Sequence, residues 1–356
     1  MPRPLLMTAD PDVLDDLLRL AATAGVEVEV VQEAGAARRA WTAAPWVLLG
    51  ADLLEAAVAT GLPRRAGLAV IGTDLDDAGI WRRAVTVGAE HVVFLPDAEA
   101  WLVGRLADAA EGSVDSGRLV AVVGGRGGAG ATTLSVALAL SAVRRGCRAL
   151  LVDGDPLGGG IDLVLGGEDV TGLRWPDLGD TNGRMPAQAL RDALPCVGGL
   201  SVLSWDRGDP TTVPTHVVAA VLSAARRSTD LVVVDLPRTL DDQAREVLAA
   251  ADRVLLVVPA ELRAAAGAAR LASRAALLCS DLGLVVRGPS PGGLTGEQIA
   301  TWLGLPLLGE LRPEPALEQA LERGDAPGRQ ARSPLARLCR TLLDDLLGPA
   351  AGQEAA

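Results

Sequence analysis

The residues best suited to chemistry lie in one run, Ala121–Ser141, with the sequence AVVGGRGGAGATTLSVALALS. An apolar stretch enters a glycine-dense turn and leaves through alanine, leucine and valine at helical spacing. Glycines let successive backbone N–H groups turn inward as an anion-holding nest, and the following helix adds the positive end of its dipole. Against the spacing G-x-x-x-x-G-K-[ST], Gly125 and Gly130 are in place and Thr132 can offer its hydroxyl to Mg2+. Position 131 requires lysine and holds alanine. Read as G-x-G-x-x-G, the run suggests a dinucleotide fold, but Thr132 and Thr133 so soon after the last glycine favour the P-loop. Asp153 and Asp155 follow one later apolar run and Asp235 ends another, the arrangement of an Mg2+ pocket behind such a loop. The plainer readings are strand-end caps and a relic loop whose glycines only pack helix on strand.

Such residues need strands to carry them. Apolar runs of strand length recur at Leu119–Val123, Ala149–Val152, Leu200–Leu203, Leu231–Val234, Val254–Val257, Leu282–Val286 and Leu305–Leu308, with long helical patterns between them, as at Pro214–Arg227 and Glu261–Leu278. The first 110 residues alternate in the same way. Their runs are Leu5–Met7, Val26–Val31, Trp46–Leu49, Leu68–Ile71 and His91–Leu95, and the helix over Val13–Ala24 is expected to bury Leu14, Leu17, Leu18 and Ala21. Strict alternation of strand and helix implies parallel sheets covered on both faces. The expected organisation is a first α/β domain over 1–110, a polar linker over 111–117, a second over 118–347 and a frayed tail over 348–356.

Composition narrows the chemistry further. All 33 basic residues are arginine, 45 are acidic, and the net charge is −12. Lysine Schiff-base catalysis is thereby excluded, and nucleic acid is disfavoured as a general partner. Cys147, Cys196, Cys279 and Cys339 stand far apart beside only His91 and His216, so no zinc spacing appears and the cysteines read as small buried residues. Acidic residues come before any apolar h-region, so no secretory signal is expected, and the longest uncharged apolar run, Ala131–Val143, is shorter than the ~20 residues of a membrane span. A cytoplasmic protein is expected. Its seven tryptophans read as core and domain-contact anchors, although Trp175 or Trp205, if exposed, would mark a partner surface.

GRGGAGATT resembles the deviant Walker A loop, G-K-G-G-x-G-K-T-T, of the MinD/ParA ATPases. The resemblance covers residues 118–325 and implies a doubly wound P-loop NTPase domain that binds ATP or ADP with Mg2+ through Gly125, Arg126, Gly127, Gly128, Ala129, Gly130, Ala131, Thr132 and Thr133. It implies Mg2+ held with Thr132, Asp153 and Asp235, and Asp155 positioning the attacking water. Arg126 stands at the signature lysine, which reaches across a homodimer in the family. Ala131 stands where a lysine contacts the β- and γ-phosphates, and Arg287 where relatives carry an asparagine that reads adenine.

The first domain resembles a response-regulator receiver, with five parallel strands. Asp10 fits its acidic cluster, but Asp52 falls two places late for the phosphoacceptor and Leu95 replaces the lysine, so a pseudo-receiver is expected. Receiver followed by ATPase resembles the CpaE/TadZ branch, and within it the actinobacterial CpaE-like septum site-determining proteins. The function implied is a nucleotide-dependent regulator that positions division-septum or pilus-secretion machinery, with hydrolysis weak or absent. The alternatives are an active dimer-cycling ATPase, a nucleotide-free scaffold and, against the charge, a DNA-partitioning protein. At the C-terminus, Leu335, Leu338, Leu342, Leu343, Leu346 and Leu347 form one helical stripe. Asp344 and Asp345 stand against Arg337 and Arg340, so the basic face that anionic lipid favours is lacking, packing on the domain is expected and membrane contact is at most peripheral, at septum or pole.

Overall fold

Leu5–Met7 (β1), Val47–Gly50 (β3) and Leu68–Gly72 (β4) are buried at every position, because the sheet they form is covered on both faces. The computed structural model describes residues 3–110, 117–181, 183, 185–208, 212–314 and 317–349. Most of the expected linker and tail fall outside these residues. The chain divides into two compact units, Met1–Asp115 and Ser116–Ala356.

In the first unit, α1 (Pro11–Thr23), β2 (Glu29–Val31), α2 (Arg38–Ala43), α3 (Leu54–Ala59), α4 (Ile80–Val87), β5 (His91–Phe94) and α5 (Glu99–Ala110) complete the alternation. The sheet is parallel throughout, in the order β2-β1-β3-β4-β5. Leu5, Met7, Val47 and Leu49 face α2, α3 and α4, while Leu6, Leu48, Ala69 and Ile71 face α1 and α5. Two expectations shift. The second strand starts at Glu29, not Val26. Helix α1 buries Val13, Leu17, Leu20 and Ala21, leaving Leu14 half-buried and Leu18 exposed. Both stripes satisfy the 3.6-residue period in so leucine-rich a segment, and tertiary packing selects between them.

The second unit follows with β6 (Arg118–Gly124), α6 (Ala131–Arg144), β7 (Ala149–Asp153), α7 (Ala187–Ala193), β8 (Cys196–Val197), β9 (Leu200–Leu203), α8 (Thr215–Ser228), β10 (Leu231–Leu236) and α9 (Asp242–Ala250). Then come β11 (Arg253–Pro259), α10 (Leu262–Ala275), β12 (Leu282–Arg287), α11 (Gly296–Leu303), β13 (Leu307–Leu311), α12 (Leu317–Leu321) and α13 (Pro334–Leu347). The strand order is β13-β12-β11-β6-β10-β7-β9-β8, and every neighbouring pair except β8–β9 is parallel. Alternate strand residues divide between two cores. Helices α8 to α11 cover one face, α6 and α13 the other.

Helix α6 is apolar almost all round because it lies between the sheet and α13. Ser333 caps α13, whose Leu335, Leu338, Leu342 and Leu343 are buried and whose Asp344 and Asp345 pair with Arg145 and Arg253. Among the described residues no helix is long and apolar enough to cross a membrane. Trp175 and Trp205 are both buried and stack at 5.7 Å. The exposed tryptophans are instead Trp81, Trp101 and Trp302, so these three are not core anchors. Cys339 alone of the four cysteines is fully buried, and Cys196 is exposed on the two-residue edge strand β8.

Candidate nucleotide site

Strand β6 is central in its sheet, and its C-terminal end opens into the loop Gly125–Gly130 before α6 begins at Ala131. Two glycines need left-handed backbone, Gly128 at φ 68° and Gly130 at φ 97°. A Cβ on Gly125 would sit 2.9 Å from that of Ala268, so glycine lets α10 close against the loop. Around Gly127 and Gly128 the equivalent space is empty to 4 Å. The loop is therefore packed on one side and open on the other. The amide of Ala129 donates to the carbonyl of Arg126 at 3.3 Å and holds the turn, with Thr132 and Thr133 half-buried on the first turn of α6.

Behind the loop, Asp153 and Asp235 are in-register neighbours on β7 and β10. The Thr132 hydroxyl donates to Asp235 Oδ2 at 2.6 Å, and Ser135 Oγ to Oδ1 at 2.9 Å. Asp153 accepts from the amides of Asp155 at 3.1 Å and Ile161 at 2.8 Å. Burial pushes Asp153 up to about 7 and Asp235 up to about 6, the hydrogen bonds opposing it. Gly154 can only be glycine, because a Cβ there would lie 2.6 Å from the Asp235 carbonyl oxygen. Asp155 stands further out, half-buried, accepting from the amide of Leu157 at 3.0 Å.

Hydroxyl and carboxylate oxygens side by side suit Mg2+, which takes one or two carboxylates and completes its shell with phosphate oxygens and water. Among the described residues no group of three or more His, Cys, Asp or Glu converges on a metal site. The donor set thus fits Mg2+ arriving with a phosphate, and Thr132, Asp153 and Asp235 are the residues that would hold it.

Three arginines surround the loop. Arg126 Nη2 lies 2.7 Å from Glu261 Oε1, within the same chain. Arg238 is exposed, its Nη2 3.3 Å from where a Cβ on Gly267 would lie. Arg287 ends β12, with its side chain beside Gly130. Asp162 lies deeper, 1% exposed, taking Arg174 at 3.2 Å, Arg207 at 2.9 Å and the Ser204 hydroxyl at 3.2 Å. Ser204 also lies 3.4 Å from Asp153 Oδ2. Sequence reasoning missed Ser135, Ser204, Arg207 and Glu261. Only Ser135 had a local signal, three residues after Thr132 on one helix face.

In the first unit, Asp10 caps α1 through the amides of Asp12 and Val13. The Asp52 carboxylate accepts from Thr8 Oγ1 at 2.9 Å and the amide of Ala9 at 2.7 Å. Leu95 is buried in the core.

Residues 7–117 match the family described as "Rv3660c-like, CheY-like N-terminal domain". Protein Rv3660c of Mycobacterium tuberculosis (strain ATCC 25618 / H37Rv) is 45% identical over 353 residues, 97% of this chain and 98% of that protein. The chain belongs to the Rv3660c-like family. The second unit of this Rv3660c-like protein has the MinD/ParA-type P-loop fold. The ParA family ATPase of Chlorobium tepidum TLS superposes with a TM-score of 0.57 at 17% identity, covering 64% of this chain and 98% of that one. MinD in the MinC:MinD cell division complex of Aquifex aeolicus gives 0.55 at 22% identity, covering 66% and 97%.

Proposed function

We propose that this Rv3660c-like protein binds ATP or ADP with Mg2+ at Gly125–Thr133 and uses the bound state to position other proteins, with hydrolysis slow or absent. One observation carries the reading. The loop is packed by Gly125 but open at Gly127 and Gly128, with Thr132, Asp235 and Asp153 assembled behind it. A relic loop would have no reason to keep two carboxylates buried and destabilised beside it. Asp155 would orient the attacking water, should turnover occur.

Ala131 sets the limit on catalysis. Loss of a charge-assisted phosphate contact costs about 1.5–3 kcal/mol, tenfold or more in affinity. The same cation stabilises charge in the transition state, so turnover suffers more than binding. In a homodimer Arg126 would have to leave Glu261 to reach a partner's phosphates. The likeness to MinD in a MinC:MinD complex, and the receiver-like unit in front, support a role at the division septum or in pilus-secretion machinery, in the manner of the CpaE/TadZ branch. Recruitment to the inner face of the membrane would then come through a partner, with the first unit, its lysine replaced by Leu95, serving as a docking pseudo-receiver.

The test is titration of the full chain with ATP and ADP, with and without Mg2+. Saturable, Mg2+-dependent binding below about 1 mM is expected. Absence of binding at that concentration would leave a nucleotide-free scaffold. Turnover that is rapid and abolished by Asp155→Ala would instead establish a cycling ATPase.

A further inference from the structure

Arg287 is a half-buried guanidinium that no carboxylate among the described residues neutralises. Its side chain makes no hydrogen bond or ion pair with any described residue. Its neighbours across the sheet are Pro259 and Leu311, neither of which offers a carboxylate. Instead it leans over the phosphate loop, where a Cβ on Gly130 would lie 3.6 Å from both Cδ and Nη1 of Arg287. Gly130 caps α6 and directly precedes Ala131, the position with the missing cation. The other two arginines are directed elsewhere, Arg126 toward Glu261 and Arg238 toward Gly267 on α10.

We propose that Arg287 supplies, from β12 of the same chain, the cation that position 131 lacks, and that the site reads polyphosphate in place of the base. This rests on the nucleotide reading above and names its ligand class, di- and triphosphates of any nucleobase. A guanidinium can hold phosphate oxygens bidentately, and a fork lying over the nest adds to its N–H donors. Side chains suited to reading a base are few, the exposed Trp302 on α11 being the aromatic one. The second unit contains no tyrosine and no phenylalanine to stack on a base, and the whole chain contains one asparagine, Asn182, which lies outside the described residues. The carboxamides of Gln188, Gln243 and Gln298 are committed to Asp192, Val213 and the cap of α11. Trp175 and Trp205 are buried against each other.

The experiment is equilibrium titration of the full-length protein with ATP, GTP and inorganic tripolyphosphate, each with Mg2+. The wild type is expected to bind all three within about threefold of one another, and Arg287→Ala to weaken all three by about tenfold or more. The melting temperature without ligand should stay nearly unchanged, because the Arg287 side chain bonds to none of the described residues, and Arg287→Lys should retain most of the affinity. Ala131→Lys should restore binding to Arg287→Ala and add much less to the wild type, since the two cations serve the same oxygens. Affinities within twofold of wild type in Arg287→Ala would overturn the assignment. So would a tenfold preference for ATP that Arg287→Ala erases, which would make Arg287 a base contact. If neither the wild type nor Ala131→Lys binds any of the three, the nucleotide reading itself fails along with this one.

Discussion

Asp235 receives two hydroxyl donors and still has a raised pKa, so at the residue scale the site stores a cost. A carboxyl whose folded pKa lies above its unfolded value adds stability at low pH and loses it as pH rises through the folded value, about 6 here. At pH 8 Asp235→Asn should melt no lower than wild type while Mg2+-dependent nucleotide binding disappears. A thermal melt beside a titration checks both, and a clear fall in melting temperature would show the carboxylate to be structural. The thiols give a second test. Burial pushes Cys339 up to about 12, and Cys147 and Cys279 are raised by the same cause, whereas Cys196 is exposed. Alkylation of the native protein followed by mass spectrometry should label Cys196 first and Cys339 last. Much of this scale was readable from the chain. Asp153 and Asp235 follow directly from strands that pair in register, so a local pattern located them. Glu261 meets Arg126 across 135 positions and Ser204 meets Asp153 across 51, contacts that only the folded topology creates.

At the scale of elements, a buried carboxylate cluster and an exposed ion pair flank the site. Asp162 is buried and holds two arginines, so Asp162→Ala leaves Arg174, itself only 12% exposed, without its counter-charge, at a cost of about 3 kcal/mol. Arg126 and Glu261 are each more than a third exposed, and Glu261→Ala should cost less than about 1 kcal/mol. Denaturant unfolding of the two variants measures the contrast, and equal effects would contradict it. A pair this weak would release Arg126 at little cost, as the proposed homodimer requires. Helix α13 belongs to the core in the same sense. Leu342→Ala should destabilise by about 2–5 kcal/mol, as for a buried leucine, where a membrane-seeking helix would show almost no loss in solution. Its leucine stripe was legible from sequence. The α1 stripe was misread by one position, because leucines on adjacent positions satisfy the helical period twice.

On the scale of the whole molecule, alternation of apolar runs and helical patterns was enough to indicate two parallel α/β units. It could not reveal β8, whose two residues pair antiparallel at the sheet edge and carry no periodicity. The net charge of −12 predicts no saturable binding to random duplex DNA at physiological salt, measurable by fluorescence anisotropy. Helix α6 has one consequence beyond holding the loop. Buried against the sheet on one side and α13 on the other, it has no local route to opening, so its amides should exchange with deuterium only through global unfolding. A ligand that binds only the folded protein would therefore slow exchange along the whole of α6, by the factor by which it stabilises the fold, and not merely at the loop it touches. Helix α6 would thus record the stability of the whole second unit, and its slowest amides would count bound ligand without touching it.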